Sequence, residues 1–274
     1  MARQTFAGKS VLITGASSGI GAELARQLGQ AGAQLTLTAR RTDVLDVLAQ
    51  RIAGADTPQP LVVQCDVTRD GDVERAVAEA TQRWGKLDIV IANAGFGVVG
   101  AFRDLSVADY RRQFETNVFG VLRTIGAALP EIEKTKGNVV IIGSVAGWSS
   151  TPNASPYAMS KFAVRALAEA LRPELAPQGV TVTLISPGFV TSEIRQVDNR
   201  GGWHAHAKDP LPSWLPMRAD VAAKKIVAAV YRRRREAIIT VHGKLLVWLS
   251  RFAPWVLRLA ARRGVRGRSE PKRQ

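Results

Sequence analysis

Cysteine, histidine and long unbroken apolar runs are what this chain has least of. Cys65 is its single cysteine, so an intramolecular disulfide is excluded and a reducing compartment fits. Of the three histidines, His204 and His206 stand close together. They lack a third ligand, so loop residues are expected there and no metal. No stretch of about 18 residues is both uncharged and continuously apolar, which argues against a conventional membrane-spanning helix. Residues 1–8 carry no apolar run behind a basic segment, so they do not read as a signal peptide. A cytoplasmic protein is expected, with a peripheral place on the inner face of a membrane left open.

What is present is the material of one α/β domain: 274 residues, 46% hydrophobic and 22% charged, enough to bury an ordinary core. The net charge of +15 is unevenly placed. Residues 1–217 hold 22 Lys and Arg against 20 Asp and Glu, whereas residues 218–274 hold 16 against 3. The chain therefore divides into a body, 1–242, and a basic amphipathic extension, 243–274. In residues 243–263, Lys244, Arg251 and Arg258 recur every seven residues with Arg262 one turn on, which places them on one helical face. Leu245, Trp248, Leu249, Phe252, Trp255, Val256 and Leu259 fall on other sides. Pro254 is expected to divide the segment into two short helices, because it removes a backbone donor. Such a segment suits an anionic membrane surface, and equally a helix packed on its own body or on a partner with its arginines snorkelling. Residues 232–235 and 262–272 could meet phosphates, but no base-reading module is present and no dedicated nucleic-acid role is expected.

Short apolar runs at 10–14, 34–38, 61–64, 87–92, 138–142, 180–185 and 237–240 read as strands buried on both faces. Helical patterns at 20–31, 70–84, 109–129, 156–176 and 219–234 separate them, with Asp70 and Asp109 as candidate N-caps. This alternation predicts a doubly wound, mostly parallel seven-stranded sheet with helices on both faces. Residues 189–218, with Trp203, Trp214 and three prolines, are too long for a simple connection and read as a lid or binding loop.

Gly15, Gly19 and Gly21 follow the first strand and open a helix, an arrangement that lets a backbone approach a pyrophosphate. Their spacing, G-x3-G-x-G, differs from G-x-G-x-x-G, and a glycine-rich turn alone is weak support for a dinucleotide. The second strand ends in Arg40-Arg41 with no acid before Asp43. Arginine there accommodates a 2′-phosphate, so NADP(H) is favoured over NAD(H), although the pair could also be merely solvated. Tyr157 and Lys161 lie one helical turn apart, thirteen residues after Ser144. An ammonium beside a phenol lowers the phenol's pKa and suits it to proton transfer. The pair by itself is better read as an ordinary exposed tyrosine and lysine on an amphipathic helix.

Taken in order, Thr14-Gly15-x3-Gly19-x-Gly21, Asp66, Asn93-Ala-Gly95, Asn117, Ser144, Tyr157-x3-Lys161 and Pro187-Gly188 resemble the short-chain dehydrogenase/reductase family over roughly residues 8–240. The resemblance implies a Rossmann fold and catalytic roles for Asn117, Ser144, Tyr157 and Lys161. Tyr157 would give a proton to a carbonyl, or take one from an alcohol. Lys161 would lower its pKa and hold the nicotinamide ribose, Ser144 would orient the substrate oxygen, and Asn117 would keep a water in a relay. Cofactor contacts would come from Gly15, Ser17, Ser18, Gly19, Ile20, Gly21, Arg40, Arg41, Asp66, Val67, Asn93, Ala94, Gly95, Pro187, Gly188, Val190 and Thr191. Asn93 and Gly188 could instead serve only their local turns, and Asn117 a helix irregularity. Ala92 departs from many members, which have another asparagine.

Phe96, Val98, Val145, Phe189 and Trp203, with Ser144, are the candidate substrate contacts. They are mostly apolar and favour a hydrophobic carbonyl or secondary alcohol. The expected activity is NADPH-dependent carbonyl–alcohol interconversion by a homodimer or homotetramer. The alternative is a non-catalytic NADPH sensor or membrane-surface scaffold.

Overall fold

The computed structural model describes residues 5–259 apart from 55–56, 193–195, 197, 201, 203, 205–211 and 213. Seven parallel strands, β1 (Ser10–Thr14), β2 (Gln34–Ala39), β3 (Leu61–Gln64), β4 (Ile89–Ala92), β5 (Asn138–Ile142), β6 (Thr181–Ser186) and β7 (Glu236–Ile238), form one sheet in the order β3-β2-β1-β4-β5-β6-β7. Alternation within each strand divides the apolar residues between two layers. Val11, Ile13, Val140 and Ile142 meet helices α1 (Gly19–Gln30), α2 (Thr42–Ile52) and α7 (Ala219–Tyr231) on one face. Leu12, Val139 and Ile141 meet α3 (Asp72–Trp84), α5 (Gly120–Lys134) and α6 (Ser155–Leu175) on the other. The expected doubly wound sheet is present, and all its pairings are parallel.

Several local expectations require correction. Helix α2 has no counterpart in the sequence reading. Asp70 does not cap α3. Gly71, at φ +86, holds that position, and the Asp70 carboxylate accepts from Arg123 Nε at 2.7 Å. Asp109 acts from inside the first turn of α4 (Val107–Phe114): it accepts from Ser106 N at 2.8 Å, while Ser106 is the N-cap. This is a capping box, in which the acid at the third position reaches back to the cap. The single helix expected over 109–129 is interrupted by a π-turn, Glu115–Phe119, between α4 and α5. Such turns accommodate an extra residue and occur often at functional sites.

The chain passes from β3 across to β4 beside β1, so the carboxyl ends of β1 and β4 diverge. In an open α/β sheet this is the crevice where ligands bind. Beyond β7, α8 (Val241–Phe252) begins on Thr240, whose hydroxyl accepts from Gly243 N. As expected from Pro254, the helix breaks at Ala253 and a second helical stretch covers 254–259. Gly243 and Val247 face the body, and the Arg251 guanidinium lies 4.4 Å from the centre of the Trp148 ring. One side of α8 is therefore docked. Val241, Leu245, Trp248, Phe252, Trp255 and Leu259 form an exposed stripe at alternating spacings of four and three. Lys244, Arg251 and Arg258 are exposed beside it, and Arg262 lies outside the described residues. No described helix is long and apolar enough to cross a membrane.

Candidate functional site

The crevice is stitched shut beneath the glycine turn. Thr14 Oγ1 accepts from the amides of Asn93 and Ala94 at 3.1 and 3.2 Å. Asn93 Nδ2 donates to the carbonyls of Thr14 and Gly15 at 2.9 and 3.0 Å. The Asn93 side chain thus holds the turn itself. A Cβ on Gly21 would lie 2.4 Å from Gly15 O and 2.6 Å from Asn93 Nδ2, so this crossing tolerates only glycine. Gly15 and Gly19 have φ of +65 and +54. Helix α1 starts with no side-chain cap from Ser18 and no acid in its first turn. The amides of Gly19, Ile20 and Gly21 are thus left for an anion, which fits a dinucleotide pyrophosphate.

The two arginines after β2 are not equivalent. Arg41 Nη2 donates to Ser17 Oγ in the glycine turn at 3.3 Å, whereas Arg40 is exposed on the strand end. Arg41 is thus the guanidinium held against the turn. Asp66 Oδ1 accepts from Thr68 N and Thr68 Oγ1 at 3.0 and 2.8 Å, closing its own turn. Val67 is buried and packs where a Cβ on Gly120 would be 2.6 Å away; any contact with a bound adenine would use its backbone.

Helix α6 carries the tyrosine and the lysine on the turn nearest the crevice. Lys161 is buried, and its Nζ donates to Ile142 O at the end of β5 at 2.9 Å. Nζ also lies 5.8 Å from the centre of the Tyr157 ring. Ser144 follows β5 by two residues and accepts from Ala146 N at 3.1 Å, capping a short 3-10 turn. That turn presses on α6: a Cβ on Gly147 would stand 2.6 Å from Lys161 O. On the other side, Tyr157 Cδ2 comes within 3.6 Å of a Cβ placed on Gly97. Loops after β4 and β5 thus converge on the same turn of α6.

The π-turn buries Asn117 completely. Its Oδ1 accepts from Phe96 N at 3.1 Å, and its Nδ2 donates to Phe96 O at 3.0 Å and Ser160 Oγ at 3.2 Å. Ser160 Oγ in turn donates to Tyr157 O at 2.7 Å. Both amide hydrogens of Asn117 and one acceptor position on its Oδ1 are spent on positioning the Phe96 loop and the Tyr157 turn. Two residues the sequence reading passed over complete this support. Ser160 is one, and Gln113 is the other: it is buried, accepts from Val98 N at 2.6 Å and donates to Phe96 O at 2.9 Å. Gln113 stands four residues before Asn117, a spacing that could have flagged it.

Burial brings the Lys161 ammonium down from 10.5 to about 8. Between these values the unfolded chain binds a proton that the folded one does not, so stability rises with pH across that window. Below pH 8 the whole cost of burying the charge is present. Relative to Lys161→Met, the cofactor-free protein is expected to gain up to about 3 kcal/mol between pH 8 and 10.5. Urea midpoints of both proteins measure this, and a difference that does not change with pH would contradict it.

The loop after β6 has a tied neck. Thr191 N donates to Met217 O and Met217 N to Phe189 O, both at 2.9 Å, with a parallel bridge between Val190 and Met217. Farther out, Asn199 accepts from Val99 N at 3.0 Å and donates to Val99 O at 2.8 Å. The loop is thereby drawn toward the Phe96–Val98 side. Of the proposed substrate contacts, Phe96 lies on the loop after β4, Ser144 and Val145 follow β5 and Phe189 follows β6, all at the carboxyl end of the sheet, while Val98 is fully buried. Trp203 lies outside the described residues, as does His206. His204 bonds Asp198 at 2.8 Å, and among the described residues no three metal-ligating side chains gather. Cys65 is buried, and burial pushes its thiol up to about 11.

The family model of the short chain dehydrogenase matches residues 9–201. An 11-beta-hydroxysteroid dehydrogenase A of Sesamum indicum is 34% identical over 266 residues, covering 93% of this chain and 76% of the relative. A dehydrogenase/reductase SDR family member 7B of Mus musculus is 34% identical, covering 84% of this chain and 72% of the relative. Among solved structures, a short chain dehydrogenase/reductase from Burkholderia phymatum in complex with NAD superposes with a TM-score of 0.80 at 25% identity, covering 95% of this chain and 97% of the other. An alcohol dehydrogenase from Thermococcus sibiricus complexed with 5-hydroxy-NADP gives 0.73 at 27% identity, covering 84% and 95%. These two carry different dinucleotides on the same fold. With the family matched over well more than half its length, this chain belongs to the short-chain dehydrogenases.

Proposed function

We propose that this chain is an NADPH-dependent oxidoreductase that interconverts a carbonyl and a secondary alcohol on a hydrophobic small molecule, with Tyr157 as general acid and base. The observation that carries this reading is the buried Lys161 ammonium, held by Ile142 O beside the Tyr157 ring at the sheet end that also carries the glycine turn. A bound reduced nicotinamide supplies the hydride. The chain's own part is to hold the carbonyl with Ser144 and deliver the Tyr157 proton to its oxygen as negative charge develops there. Lys161 favours the phenolate left behind. Asn117 would keep a water in the proton relay behind Lys161; its amide hydrogens are already spent on Phe96 O and Ser160 Oγ. Preference for NADPH rests on Arg40 and Arg41, and Arg41 already touches Ser17. The panel that tests this reading contains hydrophobic ketones and alcohols, ketosteroids among them because of the sesame relative's name. Consumption of NADPH faster than NADH with at least one ketone is expected. Equal use of both dinucleotides would remove the cofactor preference.

Two assembly features belong to the same reading. Phe119, Leu122, Met159 and Phe162 are exposed on α5, α6 and the π-turn, beside an apolar cleft lined by Phe114, Ala158 and Met159; this face suits a homodimer or homotetramer. The stripe on α8 and on 254–259, flanked by cations, suits an anionic lipid surface. Replacing Leu245, Trp248 and Phe252 together by glutamate in the full chain is expected to abolish flotation with phosphatidylserine vesicles without unfolding the body, whose contacts use Gly243 and Val247. Unchanged flotation would rule the surface out.

A further inference from the structure

His242 lies beyond the residues matched by the family model, yet it reaches into the site. Phe189 N donates to His242 Nε2 at 2.9 Å, and the two rings stack with centres 5.4 Å apart at 26°. The fit around it is close. A Cβ on Gly188 would lie 2.2 Å from Thr240 Oγ1 and 2.6 Å from His242 Nε2. A Cβ on Gly243 would lie 2.8 Å from Val145 Cγ1, next to Ser144, and Val145 N donates to Pro187 O at 2.9 Å. Three segments therefore lock together: 144–145, 187–189 and 240–243.

We propose that His242 is a positioning residue for the nicotinamide half of the site, its ring nitrogen fixing the Phe189 peptide and so the 187–191 strand of the cofactor cradle. This rests on the reading of Pro187, Gly188, Val190 and Thr191 as nicotinamide contacts. An ordinary packing residue would need only shape here. His242 instead spends its acceptor nitrogen on a main-chain amide that the Phe189–Met217 pairing leaves unbonded, since that pairing uses Phe189 O. The acceptor requires the neutral ring with its proton on Nδ1. Gly188, Phe189 and Thr240 around it are uncharged, and Lys244 two residues on is exposed. Burial holds the imidazole below its usual value, which preserves that neutral form.

Two variants of the full chain separate positioning from packing. His242→Phe keeps the stack and removes the acceptor; His242→Gln keeps an acceptor and removes the titration. Binding is read with NADPH, by nicotinamide fluorescence, and with adenosine 2′,5′-bisphosphate, which carries only the other half of the cofactor. His242→Phe is expected to weaken NADPH about 10-fold or more, as loss of one partner of a sheltered hydrogen bond implies, and to leave the bisphosphate unchanged. His242→Gln is expected to stay within about threefold of wild type for both ligands, and the acid limb of kcat/KM expected of wild type should be absent from it. Weakening of both ligands alike by His242→Phe would mark a merely structural role and overturn the proposal. So would wild-type NADPH affinity in that variant. Wild-type protein that binds the bisphosphate and NADPH equally well would instead overturn the underlying placement of the nicotinamide.

Discussion

Tyr157→Phe is expected to lower kcat for the carbonyl substrate by roughly 10²–10⁴-fold, the range a positioned general acid contributes, while NADPH binds about as before. The ring, its place over Gly97 and the Ser160 bond to the Tyr157 carbonyl all survive the substitution. Only the phenolic proton is removed. Addition of hydride to a carbonyl generates an alkoxide, and without the phenolic proton that charge develops with Ser144 left to donate a hydrogen bond but no acid placed to neutralise it. The fall should therefore appear in kcat and kcat/KM together, the signature of an interaction made in the transition state. Stopped-flow single turnovers with saturating NADPH measure it free of product release. Unimpaired turnover by Tyr157→Phe would remove Tyr157 from the chemistry.

Gly21→Val should eliminate dinucleotide binding altogether and destabilise the protein. Its first carbon alone would sit 2.4 Å from Gly15 O and 2.6 Å from Asn93 Nδ2, and neither is the loose end of a flexible chain. Either the turn opens or Asn93 is expelled from its two carbonyl bonds. Overpacking costs roughly 1–3 kcal/mol and each buried polar group left unpaired a similar amount. The damage falls on the amides proposed to face a pyrophosphate. NADPH titration at concentrations well above the wild-type Kd, with urea unfolding alongside, measures both effects. Retained NADPH binding would mean that the glycine turn is not the phosphate cradle.

The sheet and its strand positions were legible because several strands, such as β1, β4 and β5, are near-continuous Val, Ile and Leu runs, as strands buried on both faces are. The glycine turn, Ser144, Tyr157 and Lys161 were legible because their spacing survives in the linear chain, and the structure brings them to one end of the sheet. What the sequence could not display is how side chains divide their bonds. Asn117 and Asn93 are the same residue type, yet one braces the Phe96 loop and the other the first turn; only three-dimensional neighbours decide that. The π-turn was invisible because periodicity across 107–134 is nearly continuous with it. Asp109 was misplaced as a cap because an acid at the cap and an acid at the third position look alike until Ser106 is seen to take the first place. His242 carried no signal at all: its partner is a backbone amide 53 residues away. The tail's amphipathic pattern was plain, but which side docks depended on Trp148, which packs against Arg251 from a distant loop.

The most direct test of the central claim follows an isotope. NADPH deuterated at C4 is incubated with the purified protein and the ketone panel, and the alcohol product is examined by mass spectrometry and NMR. Deuterium on the carbinol carbon in wild-type product, formed at least about 100-fold more slowly by Tyr157→Phe that still binds NADPH, is the predicted result. Tight NADPH binding without any labelled alcohol from any ketone, and without the reverse reaction from any alcohol, would contradict it and leave a protein that binds the dinucleotide but does not use it.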